Sequence, residues 1–305
     1  MKLLLTGGAG FIGSNIAELL VKKGHSLTII DNLVTGKKER LDKIIDKIDF
    51  YEMDIRNRKD IEKIIVDFDG IIHQAALTSV TDSFKEPQKY HDVNVIGTKN
   101  IFEIAQKEKI RTVYASSASV YGDVKKIPIK ENEKREPINP YGKTKLDCDI
   151  LAEQYNNMNS SIIGLRYFNV YGIGQTASYA GVITKFLENI KMKKPLIING
   201  KGNQIRDFIH VQDIAKANLV AIESKINKGF FNIGTGIKTS INELANIMID
   251  NSNCESDIIH GPQFDGDVEN SLADMKLTKK SLKWNHEINL KIGLKDLIQN
   301  YLSKN

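Results

Sequence analysis

A glycine-rich turn near the N-terminus constrains this chain more than any other segment. Residues 6–13 read Thr-Gly-Gly-Ala-Gly-Phe-Ile-Gly and satisfy both G-x-G-x-x-G and G-x-x-G-x-x-G. A strand-like apolar stretch precedes the turn at residues 2–6, and an amphipathic, helix-like stretch follows at residues 11–23. A glycine-rich turn can be only a turn, but glycines between a strand and a helix let the backbone approach a pyrophosphate. The segment therefore predicts a dinucleotide site.

An acidic residue ends the second predicted strand. Asp31 follows the apolar residues 26–30 and lies 18 residues beyond Gly13. A carboxylate there accepts hydrogen bonds from the adenosine ribose and repels a 2′-phosphate, so the sequence predicts NAD rather than NADP. The alternative is that Asp31 and Asn32 only form a strand-end turn. After the third predicted strand, Asp54 is either an adenine contact or a helix N-cap.

Strand-like and helix-like segments alternate along the chain, which predicts right-handed βαβ units and a parallel sheet. The early strands are expected at residues 2–6, 26–30, 49–53, 70–74, 111–116 and 161–166, with helices at 11–23, 59–67, 87–109 and 141–156. Later strands are expected at 195–198 and 229–233, with helices at 211–224, 240–250, 274–282 and 290–302 and a loop at 261–268. We expect an α/β fold with a Rossmann-type doubly wound parallel sheet at residues 1–167, joined by about 203–235. Residues 168–305 would mainly form a smaller α/β substrate-binding domain.

Composition and charge exclude several classes of protein. The net charge is +5 and the basic residues are scattered, so we expect no nucleic-acid surface. No apolar run reaches the roughly 18 residues of a membrane span, and the N-terminal apolar stretch is too short for a signal peptide. Cys148 and Cys254 have no metal-type spacing, so we expect no metal and a reduced, cytoplasmic setting.

A tyrosine and a lysine four residues apart open one predicted helix. Tyr141 and Lys145 follow Pro140 and lie on one helical face. A lysine ammonium beside the phenol, with a nicotinamide cation nearby, stabilises the phenolate and prepares the tyrosine as a general base. Ser117 follows the fifth predicted strand and is placed to hydrogen-bond the reacting hydroxyl and relay its proton. The alternative is that the serines of residues 115–122 only cap a turn.

Further motifs extend this pattern over nearly the whole chain. They are Asp31-Asn32, His73-Gln74-Ala75-Ala76, Asn94-Val95-Ile96-Gly97 and residues 116–122, 141–145, 166–172, 206–211 and 232–236. With the glycine turn they resemble the extended short-chain dehydrogenase/reductase superfamily, and the later motifs narrow this to the UDP-glucose/UDP-N-acetylglucosamine 4-epimerase family. The resemblance implies an isomerase that keeps NAD bound. Tyr141 would take the proton of the sugar 4-hydroxyl while the C4 hydride passes to NAD and later returns to the opposite face.

The resemblance also implies which residues hold the two ligands. For NAD they are Gly7, Gly10, Phe11, Ile12, Gly13, Asp31, Asn32, Asp54, Ile55, Gln74, Ala75, Ala76, Asn94, Tyr141, Lys145 and Tyr167. For the UDP-sugar they are Ser117, Tyr141, Asn169, Val182, Arg206, Asp267 and Ser271, with Asn169 and Arg206 on the diphosphate. It further implies a homodimer formed through a helical face within residues 87–109 and 141–156.

Two positions depart from the family pattern in the C-terminal substrate loop. Phe264 stands where the family commonly carries arginine, so a phosphate contact of about 1.5–3 kcal/mol is lost and the identity of the nucleotide is open. Ser271 stands where enzymes restricted to glucose and galactose often carry tyrosine. A small residue there is associated with room for a 2-acetamido group, so we expect UDP-GlcNAc and UDP-GalNAc beside UDP-Glc and UDP-Gal. The alternative is that Ser271 is small for packing.

Other functions remain open beside this one. Dehydratases that resemble this chain carry an Asp-Glu pair after the catalytic hydroxyl residue, and decarboxylases often carry Glu. Ala118 and Ser119 cannot replace these acids, so elimination is disfavoured. A UDP-glucuronate 4-epimerase would use the same core residues with an added cation. A non-catalytic NAD-binding regulator predicts erosion of the set Ser117, Tyr141 and Lys145, and all three are present.

Overall fold

The computed structural model describes residues 1–175, 181–252, 256–263 and 268–303. Short strands recur throughout these residues. In chain order they are β1 Lys2–Thr6, β2 Ser26–Asp31, β3 Ile48–Glu52, β4 Gly70–His73, β5 Arg111–Ser117, β6 Ile162–Tyr167, β7 Asn169–Tyr171, β8 Leu196–Asn199, β9 Ile205–Arg206, β10 Phe208–His210, β11 Gly229–Ile233, β12 Thr239–Ser240 and β13 Ile258–Gly261.

Seven of these strands form one parallel sheet in the order β11-β6-β5-β4-β1-β2-β3. The chain runs outward from β1 in one direction and from β4 in the other, so the predicted doubly wound fold is confirmed. Ligands of such sheets bind at the carboxyl ends of the strands, where the direction reverses. Thr6 pairs with both Ile30 and His73, so β1, β2 and β4 end at one edge.

Helices cover both faces of the sheet. They are α1 Phe11–Lys22, α2 Arg58–Ile64, α3 Val80–Lys85, α4 Pro87–Tyr90, α5 Gly97–Lys107, α6 Pro140–Asn157, α7 Val182–Lys191, α8 Val211–Glu223, α9 Ile241–Ser252, α10 Lys276–Leu282 and α11 Leu290–Leu302. Leu3 and Leu5 of β1 are buried with α1 and α8, whereas Leu4 is buried with α2 and α5. Near-continuous apolar strands are typical of a sheet that is covered in this way.

A second hydrophobic core lies in the later part of the chain. It joins α7, α9 and α11 through side chains such as Phe186, Leu244, Met248 and Leu294. β7 pairs with β10 and β8 with β13 in parallel, while β9 pairs with β12 antiparallel. By contrast, β11 and α8 pack with the first sheet although they come late in the sequence. The division of the chain near residue 167 stays a prediction.

Some local elements differ from the sequence patterns. The helix expected at residues 87–109 consists of α4, a π-helical turn at His91–Ile96 and α5. The sequence patterns missed α3 and α7, as well as β7, β9, β10 and β12, which have only two or three residues each. They also missed β13, which includes Gly261, so the loop expected from that residue begins after it. Such short strands depend on the partner that supplies their hydrogen bonds, and no local periodicity reveals that partner.

A buried ion pair ties α6 to the central sheet. The Asp149 carboxylate accepts a hydrogen bond from the Arg166 Nε at 2.9 Å, and the Arg166 Nη2 lies 2.8 Å from it. The hydroxyls of Tyr114 and Ser116 in β5 donate to the same carboxylate at 2.5 Å and 2.7 Å. Asp149 and Arg166 expose 0% and 2% of their side chains. Each charge therefore depends on these contacts to replace the water it has lost.

We expect Asp149→Asn to lower the free energy of unfolding by about 3–5 kcal/mol, because it leaves the buried Arg166 charge without its counter-ion. Glu153→Gln, one turn later on α6, is the matched control. Glu153 pairs with Arg135 at 2.8 Å, but both side chains are partly exposed, and such pairs contribute about 0–1 kcal/mol. Urea denaturation measures both changes, and equal losses would contradict a special role for the buried pair.

Candidate functional site

The glycine turn leaves no room for side chains. Gly7 has a φ of +70°, and a Cβ there would lie 2.6 Å from the backbone nitrogen of Ala75. At Gly13 a Cβ would collide with the carbonyl oxygen of Gly7. Gly10 is the N-cap of α1, and this cap makes no side-chain hydrogen bond to the helix. The turn therefore presents bare backbone at a helix N-terminus, where a pyrophosphate binds favourably.

The Asp31 carboxylate is held firmly at the end of β2. It accepts hydrogen bonds from the N–H groups of Ala9 at 2.9 Å and Leu33 at 2.8 Å. Burial raises the pKa of Asp31, and these two N–H groups oppose that effect. A Cβ on Gly36 would lie 2.6 Å from Asp31 Oδ1, so the loop approaches the carboxylate closely. The acid is thus fixed in one orientation, as recognition of a ribose requires.

A cavity of ≈ 330 Å³ follows the carboxyl edge of the sheet. Asp31 lines it, as do Ser117, Tyr141 and Lys145, so its wall combines an acid suited to a ribose with the predicted catalytic group. Most of the residues expected to hold the dinucleotide line this cavity. They are Gly7, Gly10, Phe11, Ile12, Gly13, Asp31, Asn32, Ile55, Gln74, Ala75, Ala76, Tyr141, Lys145 and Tyr167.

Asp54 supports the wall of the cavity and is not part of its lining. Its carboxylate accepts hydrogen bonds from the Arg56 Nε at 2.9 Å and Nη2 at 2.7 Å, and from the Asn32 amide at 2.9 Å. The Arg56 guanidinium is the main cause that lowers the pKa of Asp54 to about 2. Arg56 and Asn32 do line the cavity, so Asp54 orients two side chains that face a ligand. A direct contact of Asp54 with adenine stays a prediction.

Asn94 also lies behind the lining. Its side chain is buried and donates to the Leu77 carbonyl at 2.9 Å and to the Thr144 hydroxyl at 3.0 Å. Its Oδ1 accepts from the Leu77 N–H at 2.8 Å. The amide thus joins the loop after β4, through Leu77, to the helix that carries Tyr141. A direct contact of Asn94 with the cofactor stays a prediction.

The helix α6 presents the tyrosine and the lysine to the cavity. Asn139 caps this helix by accepting a hydrogen bond from the Gly142 N–H at 2.7 Å. The Lys145 Nζ donates to the Ala115 carbonyl of β5 at 2.9 Å and lies 6.0 Å from the centre of the Tyr141 ring. The ammonium is therefore fixed beside the phenol, as a tyrosine general base requires.

Ser119 orients Ser117. The Ser117 Oγ accepts hydrogen bonds from the Ser119 N–H at 3.1 Å and from the Ser119 hydroxyl at 2.9 Å. A hydroxyl accepts two hydrogen bonds and donates one. These contacts hold Ser117 in place and let its hydroxyl proton point into the cavity that Tyr141 also lines. This geometry suits a hydrogen bond from Ser117 to the reacting oxygen, and the proton relay stays a prediction. Sequence reasoning gave Ser119 no role in orienting Ser117.

His73 carries no charge beside the catalytic group at neutral pH. It ends β4, is buried, and its ring nitrogens lie 2.6 Å from the Thr6 hydroxyl and 2.9 Å from the Thr98 hydroxyl. Burial, and then the charge of Lys145, lower the pKa of His73 to about 3. The imidazole therefore stays neutral and adds no positive charge next to Lys145.

Of the residues expected to bind the substrate, Ser117 and Tyr141 line the cavity, whereas Asn169, Val182, Arg206 and Ser271 lie outside its lining. Arg206 ends β9, and the Ser271 N–H donates to the Ile205 carbonyl at 3.0 Å. The Asn169 amide donates to the Asp207 carbonyl at 3.3 Å. Val182 is the first residue of α7, farther along the chain. Asp267, Phe264 and Cys254 lie outside the described residues, and the substrate roles stay predictions.

Sequence reasoning missed Asp207 as an organiser of this region. Asp207 is fully buried, and burial raises the pKa of its carboxyl. The carboxylate accepts hydrogen bonds from the N–H and the hydroxyl of Thr235, both at 2.7 Å, and from the N–H groups of Gly236 at 2.9 Å and Ala273 at 3.2 Å. It joins the segment after β11 to the segment that contains Ser271. Asp207 lies in the motif at residues 206–211, which could have pointed to it, but the sequence analysis assigned a role only to Arg206.

The described part of the chain shows neither a metal-binding cluster nor a membrane-spanning helix. It holds no group of three His, Cys, Asp or Glu residues that could bind a metal ion. No helix in residues 1–175, 181–252, 256–263 or 268–303 is both long and apolar enough to cross a membrane.

Comparison with known proteins connects this geometry to a family. The family model described as "NAD dependent epimerase/dehydratase family" matches residues 3–234. A putative UDP-glucose 4-epimerase of Methanocaldococcus jannaschii is 39% identical, covering 99% of both chains.

Two solved structures share the whole fold. One is a UDP-N-acetylglucosamine 4-epimerase from Methanobrevibacter ruminantium M1 in complex with UDP-N-acetylmuramic acid. It is 33% identical with a TM-score of 0.95, and the match covers 100% of this chain and 99% of that one. The other is a UDP-glucose 4-epimerase from Thermotoga maritima with UDP-glucose. It is 33% identical with a TM-score of 0.94, and the match covers 99% of this chain and 98% of that one.

We expect Ser119→Ala to lower kcat about tenfold and to leave KM nearly unchanged, because Ser117 loses a hydrogen bond of about 1.4 kcal/mol that directs its proton in the transition state. Ser119→Thr keeps the hydroxyl and should restore most of the rate. Steady-state kinetics of both variants with a sugar-nucleotide substrate measure the effect. An unchanged kcat in Ser119→Ala would show that Ser117 needs no such support.

Proposed function

Because the chain belongs to the NAD dependent epimerase/dehydratase family, we propose that this isomerase is a 4-epimerase of UDP-hexoses. It interconverts UDP-glucose with UDP-galactose and also UDP-GlcNAc with UDP-GalNAc. The observation that carries the proposal is one cavity lined both by Asp31 and by Ser117, Tyr141 and Lys145. The names of relatives that cover nearly the whole chain support it.

The cavity fits NAD. Side chains at Gly7 and Gly13 would fill the space against Ala75 and the turn itself, so the bare backbone there is suited to the pyrophosphate. Asp31 would take the adenosine ribose, while Tyr141 and Lys145 would face the nicotinamide half. When bound, NAD supplies a reversible hydride acceptor, which is the chemistry that inversion of a secondary alcohol needs.

The chain's own residues move the proton at the sugar O4. Lys145, fixed by the Ala115 carbonyl, stabilises Tyr141 as the phenolate. This phenolate takes the proton of the 4-hydroxyl as C4 is oxidised and becomes the neutral phenol. The Ser117 hydroxyl donates a hydrogen bond to the same oxygen and so stabilises negative charge that develops there. On reduction from the opposite face, Tyr141 returns the proton.

The epimerase must hold the nucleotide firmly while the 4-keto sugar rotates in the site to present its opposite face. Binding energy is best placed on the part of the substrate that does not react. Asn169 and Arg206 are proposed for this grip on the diphosphate, with Val182, Asp267 and Ser271 as further substrate contacts. Asn169 and Arg206 flank Asp207, the carboxylate that joins this region together. This arrangement supports separate anchors for cofactor and substrate.

Rival reactions differ in how well the residues of this site support them. Ala118 has no acid, and the Ser119 hydroxyl already bonds Ser117, so neither supports elimination. UDP-glucuronate 4-epimerase is the second candidate, since it uses the same three catalytic residues and requires only a further cation. The homodimer and the cytoplasmic location stay predictions.

We expect the purified protein, without added NAD, to invert C4 of UDP-Glc and UDP-GlcNAc but not of UDP-GlcA. Anomeric proton signals in NMR distinguish each pair of epimers. Tyr141→Phe should lower kcat about a thousandfold or more while NAD stays bound, because the substitution removes only the proton acceptor. Inversion of UDP-GlcA alone would favour the second candidate, and no inversion of any of the three sugars would refute the epimerase assignment.

We expect Ser271→Tyr to lower kcat/KM for UDP-GlcNAc at least tenfold and to change that for UDP-Glc less than about threefold, because a phenol would fill the space for the 2-acetamido group. Ser303→Tyr, at an exposed position after α11, controls for an added tyrosine. The ratio of the two kcat/KM values is the measurement. An unchanged ratio would remove Ser271 from the substrate contacts.

A further inference from the structure

Arg40 joins two distant parts of the chain at the glycine turn. It lies in the short 3-10 helix Lys38–Leu41, which follows β2. Its Nη1 donates to the Ala9 carbonyl, inside the glycine turn, at 3.1 Å. Its Nη2 donates to the carbonyl of Gly174, 134 residues away, at 2.8 Å. One guanidinium therefore fastens residues 172–175 to the turn.

The segment fastened by Arg40 is a wall of the dinucleotide cavity. Gln175 lines the cavity, and its Oε1 is buried without a hydrogen-bond partner among the described residues. Gly174 has a φ of +98°, and a Cβ there would lie 3.6 Å from the Phe11 ring. Gly174 thus lies directly against Phe11, the first residue of α1. A ligand seated on the glycine turn is flanked by this segment.

Arg40 is also the cation best placed for a pyrophosphate. Four basic side chains line the cavity within the described residues: Arg40, Arg56, Lys89 and Lys145. Arg56 pairs with Asp54, Lys89 with Glu86, and Lys145 bonds Ala115. Of these four side chains, Arg40 is the one that donates a hydrogen bond to the glycine turn, at the Ala9 carbonyl. Its two carbonyl contacts use two of its five N–H groups, which leaves donors for a phosphate oxygen.

We propose that Arg40 retains the dinucleotide between turnovers. Its guanidinium supplies positive charge to the pyrophosphate and holds residues 172–175 across the glycine turn, so NAD leaves only after these contacts break. The inference rests on the NAD of the proposed function but not on any particular sugar. Retention is measured without substrate, so its failure and that of the epimerase proposal are distinguishable.

The test compares Arg40→Gln with Arg111→Gln. Arg111 is also partly buried and also donates to backbone carbonyls, those of Ala221 and Ile226, but it lies outside the cavity lining. Excess alcohol dehydrogenase with ethanol traps released NAD, and the absorbance of the NADH formed gives the dissociation rate. We expect release about ten- to a hundredfold faster in Arg40→Gln and unchanged in Arg111→Gln. The NAD content of the purified variants should follow the same order.

Two results would overturn the proposal. Release from Arg40→Gln as slow as from the wild type would show that Arg40 does not retain NAD. Equal acceleration in Arg111→Gln would show a general loosening of the fold. Should Arg40→Gln not fold, Arg40→Lys is tested instead, because an ammonium keeps the charge but lacks the fork that reaches both carbonyls. NAD release from Arg40→Lys at the wild-type rate would overturn the proposal that Arg40 holds residues 172–175 across the glycine turn.

Discussion

The buried contact between Asp149 and Arg166 determines where the catalytic helix lies. Asp149 comes four residues after Lys145 and eight after Tyr141, so one face of α6 carries all three. Arg166 holds that face against β5 and β6. The position of α6 in turn sets the contact of Lys145 with the Ala115 carbonyl. An ion pair outside the cavity lining thus positions the side chains that we propose for proton transfer.

Polar side chains form a second layer behind the cavity. Asp54 orients Arg56 and Asn32, and Asn94 joins the loop after β4 to α6. These groups spend hydrogen bonds on the protein and so rigidify the lining. Of the residues proposed for the diphosphate, Arg206 lies in β9 and Asn169 bonds the Asp207 carbonyl, outside the cavity lining. The proposed function thus assigns cofactor and diphosphate to different parts of the molecule.

The parts of the site that sequence could predict are those encoded by local spacing. The glycine turn, Asp31, and the pair Tyr141 and Lys145 each follow a strand or open a helix, and all line one cavity. The supporting contacts could not be foreseen, because Arg40 reaches Gly174 across 134 residues. The same holds for Asp207, whose donors come from segments after β11 and near Ala273. Periodicity reports which face of an element is buried, but not which distant backbone meets it.

The position of β11 has a consequence for the order in which the molecule can be completed. All six residues of β6 are buried, and β11, made by residues 229–233, covers the side of β6 that β5 leaves open. Until those residues emerge from the ribosome, the nascent sheet ends in an apolar strand with unpaired backbone groups, which is an open template for aggregation. A chain cut after residue 167 would keep every glycine of the turn, but it would lack β11 and so expose the unpaired edge of β6. The late strand β11 therefore covers the open edge of β6, and the edge stays unprotected until that strand has been synthesised.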